Sequence, residues 1–113
     1  MPDVSEIISN CASTHWGDRK EGLVALLGFL KGSHMLTGSE LKRITEIFTK
    51  MFMDTHTKVF TLFLDTLMEL IFVHRADLND WLYILLTRLL QKLGSDLLGS
   101  VQTKIHRTLD LVR

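Results

Sequence analysis

Met51-Phe52-Met53-Asp54-Thr55-His56-Thr57-Lys58-Val59-Phe60 joins two segments of different helical pattern. Before it, Leu41, Ile44, Ile47, Phe48, Met51 and Phe52 recur at spacings of three and four, which places them on one helix face. After it, Val59, Phe60, Phe63, Leu64, Leu67, Leu70 and Ile71 cover more than half of a helical circumference, which requires burial from two sides. Asp54 is expected to end the first of these helices and cap the second, making a tight turn. Thr37 and Glu40 read as a capping box, the threonine oxygen taking a free amide while the glutamate reaches back. A helix pair over residues 37–75 follows, with its second helix central.

The same grammar extends in both directions. Asp3 with Glu6 reads as a capping box for a helix carrying Val4, Ile7, Ile8 and Cys11. Thr14 precedes a second helix with Leu23, Leu26, Leu27 and Leu30, broken at Gly32-Ser33. Asp77 is expected to open a fifth helix with Leu78, Trp81, Leu82, Leu85, Leu89 and Leu93, closed by Gly94. Ser95 and Asp96 then cap a sixth, with Leu97, Leu98, Val101, Ile105, Leu109 and Val112. The chain is read as all-α, with about six helices in three hairpins at about 1–36, 37–75 and 76–113. A period near about 40 residues is that of HEAT/armadillo-like solenoids. Asp54 to Val59 also reproduces the HEAT order of Asp, cation, Val. The turns carry Asp18, Asp54 and Asp96, each followed by a base on the next helix, Arg19, Lys58 and Lys104. An antiparallel bundle is the other arrangement open to these helices.

Composition narrows the function classes. A chain of 113 residues with 46% hydrophobic residues and one proline suits one helical unit with a core. Lys plus Arg and Asp plus Glu are both 13, so the net field gives no reason to invoke nucleic acid. The N-terminus lacks a signal-peptide pattern, and the run Trp81 to Leu90 is far shorter than the roughly 18 apolar residues of a membrane span. A soluble, intracellular protein without membrane insertion is expected. The single Cys11 reads as a small core residue. His15, His34, His56, His74 and His106 show no metal spacing, and no phosphate loop or nucleophile elbow is present, so neither a cofactor nor catalysis is expected. Phe48, Met51, Phe52, Met53, Phe60 and Phe63 read as core, and Gly32-Ser33-His34-Met35 as a loop.

Trp16 stands apart. It lies in Ser13-Thr14-His15-Trp16-Gly17-Asp18-Arg19-Lys20, among polar groups at the start of a helix. An aromatic beside two cations has the composition of a protein–protein hot spot; a staple packed on the preceding helix is the other reading. In a helical-repeat stack the turns inside the pairs line one edge, so the turns at Trp16, at Thr55-His56 and at Ser95-Asp96 form one strip.

Asn10 to Leu23, together with Met51 to Phe60, resembles a TOG domain of the CLASP microtubule-associated proteins. The likeness extends through Asp80-Trp81-Leu82, Leu85-Leu86-Thr87 and Gly94 to Gln102, and is greatest with the third TOG domain. TOG domains are arrays of six HEAT repeats that bind αβ-tubulin through intra-repeat turns. The resemblance therefore implies a single partial TOG domain over 1–113, tubulin and microtubules as partner, and a cytoplasmic, cytoskeletal location at microtubules, spindle and kinetochore. It assigns tubulin contact to Trp16 and Lys20 in the first turn, Thr55, His56 and Lys58 in the second, and Ser95 and Asp96 in the third. Lys58 has a second reading, pairing with Asp54 to stabilise only the turn. Ser95-Asp96 departs from the strongest binders by offering an acid where a base is expected. The count of three repeats against six, and the apolar end Leu109-Asp110-Leu111-Val112, imply an N-terminal half-domain that self-associates through that end. The function implied is microtubule stabilisation, with catastrophe suppression and rescue. The alternative is a HEAT-type scaffold that recruits a kinetochore or cortical adaptor without touching tubulin.

Overall fold

The capping box expected at Thr37 is formed. In the computed structural model, which describes residues 3–93 and 99–112, the Glu40 amide donates to the Thr37 hydroxyl at 3.3 Å, and the Thr37 amide donates to the Glu40 carboxylate at 2.8 Å. It starts the third of six α-helices among the described residues. These are α1 (Val4–Cys11), α2 (Trp16–Lys31), α3 (Gly38–Met51), α4 (Thr57–His74), α5 (Asn79–Leu93) and α6 (Gly99–Val112). A 3₁₀ turn, Arg75–Asp77, links α4 to α5. The fold is all-α, and no strand occurs among the described residues.

The helices pack as α1 on α2, α3 on α4 and α5 on α6, while α2, α4 and α6 form a row with α4 in the middle and α1 lies against α3. This is the three-hairpin helical-repeat stack read from the period. The central position of α4 explains its wide apolar surface, since Val59, Phe60, Phe63, Leu64, Leu67, Leu70 and Ile71 are all buried. Phe63 meets Phe48 and Phe52 edge-on, each pair of centroids 5.0 Å apart. Such edge-to-face pairs add about 1 kcal/mol each beyond the area they bury. Cys11 is buried as expected. Met53, read as core, is instead 73% exposed, because the helix ends at Met51 and the chain has already turned outward.

Other helix ends differ in detail from the sequence reading. Asp3 is the N-cap of α1 but makes no side-chain cap bond, its carboxylate remaining in solvent. The N-cap of α2 is His15 rather than Thr14. Asp54 lies two residues ahead of the α4 N-cap, His56, and accepts that residue's amide at 2.9 Å, so it shapes the turn without capping the helix. Asp77 falls in the 3₁₀ turn, two residues before α5 begins. There its carboxylate lies 3.3 Å from His74 Nδ1. At the end of α2 the left-handed residue is Ser33, with φ 66°, while Gly32 stays at φ −78°. The Ser33 and His34 amides return to the Leu30 and Phe29 carbonyls, and the His34 ring stacks on Phe29, which makes a Schellman closure. Gly94 and the caps Ser95 and Asp96, with Leu97 and Leu98, lie outside the described residues.

Candidate functional site

The turns between α1 and α2 and between α3 and α4 stand side by side, tied by one guanidinium. Arg19, in the first turn of α2, donates from Nε to Asp54 Oδ2 at 2.7 Å and from Nη2 to Asp54 Oδ1 at 3.3 Å. Its Nη1 donates to the carbonyls of Ser13 and Thr14 at 3.2 and 2.9 Å. Both partners are largely enclosed, their side chains 19% and 4% exposed. A two-pronged, largely enclosed pair of this kind is stronger than a surface ion pair. It also corrects one sequence reading: Asp54 pairs with Arg19 of the neighbouring hairpin, not with Lys58 four residues on. Asp18, the acid of the first turn, accepts the Ser13 hydroxyl at 2.9 Å. Lys104 reaches Asp65 on α4 at 2.8 Å, a bond between hairpins as well.

Trp16 is the first residue of α2 and is 47% exposed. Its indole lies on the imidazole of His56, with centroids 4.2 Å apart and planes 13° from parallel. His56 is held from below, since its amide donates to Asp54, while its Nδ1 is buried without a hydrogen-bond partner. Lys20 follows Trp16 by about one helical turn and is exposed, as are Thr55 and Lys58. The structure thus brings Trp16 and His56 together at a rim made by two adjacent turns, with Lys20, Thr55 and Lys58 exposed on the segments that form it. Ser95 and Asp96, assigned to the third turn, lie outside the described residues.

In the sequence Arg19 reads as the base that follows a turn acid and as one of two cations beside Trp16; its bond to Asp54 of the next hairpin is seen only in the structure. The usable signal was that Arg19 and Asp54 sit near equivalent turns of successive hairpins. A cleft of about 370 Å³ was also missed, behind the same ion pair. Cys11, Ile47 and Met51 give it an apolar floor, with Ala12, Lys50 and Met53 at the exposed mouth. Apolar volume of this size beside a few fixed polar groups suits a side chain of a partner. The Cys11 thiol in that floor is pushed up to about 12 by burial, so it stays protonated at neutral pH and is a poor nucleophile. Among the described residues no group of three or more His, Cys, Asp or Glu is placed to hold a metal. No described helix is long and apolar enough to cross a membrane. The rim thus combines a half-exposed, stacked aromatic, exposed cations and an adjacent hollow.

No family model matches the chain. Over 112 residues, 98% of its length, it is 54% identical to CLIP-associating protein 1-B of Xenopus laevis. The same identity and coverage hold for CLIP-associating protein 1 of Xenopus tropicalis. With CLIP-associating protein of Drosophila melanogaster it is 56% identical over 110 residues, 97% of the chain. The chain spans only 8% of the length of the two frog relatives and 7% of the fly relative. Its homologues are therefore CLIP-associating proteins, matched along nearly all of this chain and along one short segment of their own.

Proposed function

We propose that the chain is a microtubule-regulator module: three HEAT repeats of a TOG domain, of the third kind in CLASP proteins, that bind αβ-tubulin through the intra-hairpin turns. The carrying observation is Trp16, nearly half exposed at the rim and held flat on His56. An aromatic already fixed in place loses little conformational freedom on binding, which is the property of a hot-spot anchor. Homology to CLIP-associating proteins supports the reading. Lys20 and Lys58 supply exposed positive charge at the same rim, and Thr55 and His56 complete the first two turns. Ser95 and Asp96 are assigned the third.

Charge at the rim steers encounter with an acidic partner even at zero net charge, and its effect weakens as salt shortens the screening length. The function that follows is stabilisation of microtubules, with suppression of catastrophe and promotion of rescue, at the cytoskeleton and at spindle and kinetochore. Sedimentation velocity of the chain with αβ-tubulin at low and moderate salt tests the proposal. A faster boundary that weakens with salt and is lost in Trp16→Ala is expected, since truncating a hot-spot aromatic costs about 2 kcal/mol or more. A folded chain that leaves the tubulin boundary unchanged at low salt refutes it and redirects the rim to a different protein partner.

A further inference from the structure

We propose that Arg19 and Asp54 are positioning residues for Trp16, a clasp spanning two repeats that presents the indole to its partner; this rests on the reading of Trp16 as the anchor. The connection can be followed atom by atom. Arg19 Nη1 holds the Ser13 and Thr14 carbonyls, the peptide units that deliver the chain to Trp16. Arg19 Nε and Nη2 hold both oxygens of Asp54. Asp54 Oδ1 also accepts the His56 amide. His56 then carries the indole at 4.2 Å.

The His56 Nδ1 is buried without a hydrogen-bond partner among the described residues, so no hydrogen bond at that nitrogen orients the ring. Its backbone is anchored at Asp54, and its ring face lies against the indole. Trp16, as the first residue of its helix, sits where helices fray, and Arg19 restrains the peptides before it. One guanidinium therefore fixes both halves of a stack whose rings are 40 residues apart in sequence. Arginine is required for this geometry, because an ammonium has one nitrogen and cannot serve a bidentate carboxylate and two carbonyls together.

The assignment differs from a merely structural tie between hairpins, and Arg19→Lys separates the two. Lysine keeps a cation beside Asp54, so most of the attraction remains while the hold on residues 13 and 14 is lost. Trp81→Phe leaves Trp16 as the single tryptophan of the two in the chain, so its emission and acrylamide quenching report on the rim alone. In that background Arg19→Lys is expected to shift Trp16 emission to the red and raise its quenching, with the helical circular dichroism unchanged. Asp54→Asn, which keeps an acceptor for the His56 amide but loses the charge that holds the guanidinium, moves the signal in the same direction. Affinity for αβ-tubulin falls about two- to tenfold in Arg19→Lys, the range that corresponds to ordering one side chain on binding.

Folded variants with unchanged Trp16 emission and quenching overturn the proposal, whatever their melting temperatures. A tubulin affinity unchanged in Arg19→Lys while the Trp16 signal moves also overturns it. An intact chain that does not bind tubulin, with the Trp16 signal still moving in Arg19→Lys, refutes the tubulin reading and leaves the positioning of Trp16 by the clasp supported.

Discussion

Gly22 and Gly28 lie on the same helix, and replacing each with alanine should change stability in opposite directions. A Cβ at Gly22 would stand 2.7 Å from the Cys11 amide nitrogen, 2.9 Å from its Sγ and 3.0 Å from the Asn10 carbonyl carbon. The nearest of these is backbone, so no rotamer change relieves it; α1 must shift as a body by several tenths of an ångström. A Cβ at Gly28 meets nothing within 4 Å. Alanine is favoured over glycine inside a helix by about 1 kcal/mol, and that gain is available at both positions. At Gly22 it is opposed by overpacking of about 1–3 kcal/mol, toward the upper end because the obstruction is main chain. The expected balance is a loss of about 1–2 kcal/mol for Gly22→Ala and a gain of about 1 kcal/mol for Gly28→Ala. For a chain of this size 1 kcal/mol corresponds to about 4 °C in Tm. Thermal melts followed at the helical circular-dichroism minimum should show Gly22→Ala about 4–8 °C below the parent and Gly28→Ala about 4 °C above it. Equal or same-sign shifts would refute the reasoning, since helix propensity alone predicts two gains. Because α1 ends beside the rim, Gly22→Ala should also perturb Trp16 emission, whereas Gly28→Ala should not.

Three further outcomes follow from particular contacts. Ser33→Gly, at φ 66°, should raise stability by about 0.5–1 kcal/mol in urea unfolding, because the left-handed cost of an L-residue exceeds the added freedom of glycine in the unfolded chain. His74→Ala should lower it by about 3 kcal/mol in the same assay: the buried Leu36 amide, which donates to His74 Nε2 at 3.1 Å, loses its acceptor and a cavity opens. For Cys11, the unfolded thiol ionises near 9.0 and the folded one at about 12. The folded chain thus binds more protons above pH 9, so stability falls as pH rises through that window and is unaffected by this group below it. The difference in unfolding free energy between the parent and Cys11→Ala should be flat up to pH 9 and shrink above it, as measured by urea titrations at successive pH values.

Helices were legible because each reports itself locally. The stripe Leu41, Ile44, Phe48 and Met51 and the box Thr37 with Glu40 need only neighbours three or four residues away, and both are as read. Acids before helices were less legible. Asp3, Asp54 and Asp77 carry the same capping signal, yet one stays in solvent, one serves a turn and an arginine, and one faces a histidine. Competing partners for a carboxylate are set by what the fold brings near it. The rim followed the same rule. Trp16, Lys20, Thr55, His56 and Lys58 were placed on one edge by the repeat logic, but the stack of Trp16 on His56 and the clasp of Arg19 on Asp54 depend on the offset between successive hairpins. A single sequence carries no mark of that offset.

The side-chain hydrogen bonds that join the hairpins do carry it, once the fold is in view. Arg19 to Asp54 spans 35 residues, the Leu36 amide to His74 spans 38, Trp81 to Thr49 spans 32 and Lys104 to Asp65 spans 39. All are close to one repeat. A solenoid is held by nearest neighbours, and each of these four bonds joins adjacent hairpins. The described contacts of the rim lie in hairpins one and two, and the Lys104 to Asp65 bond joins two and three. Lys104→Ala should therefore lower the melting temperature without moving the emission of Trp16, while Asp54→Asn moves both. A Trp16 signal that responds to Lys104→Ala in a folded chain would mean that the third hairpin sets the rim, and the nearest-neighbour account of this site would fail.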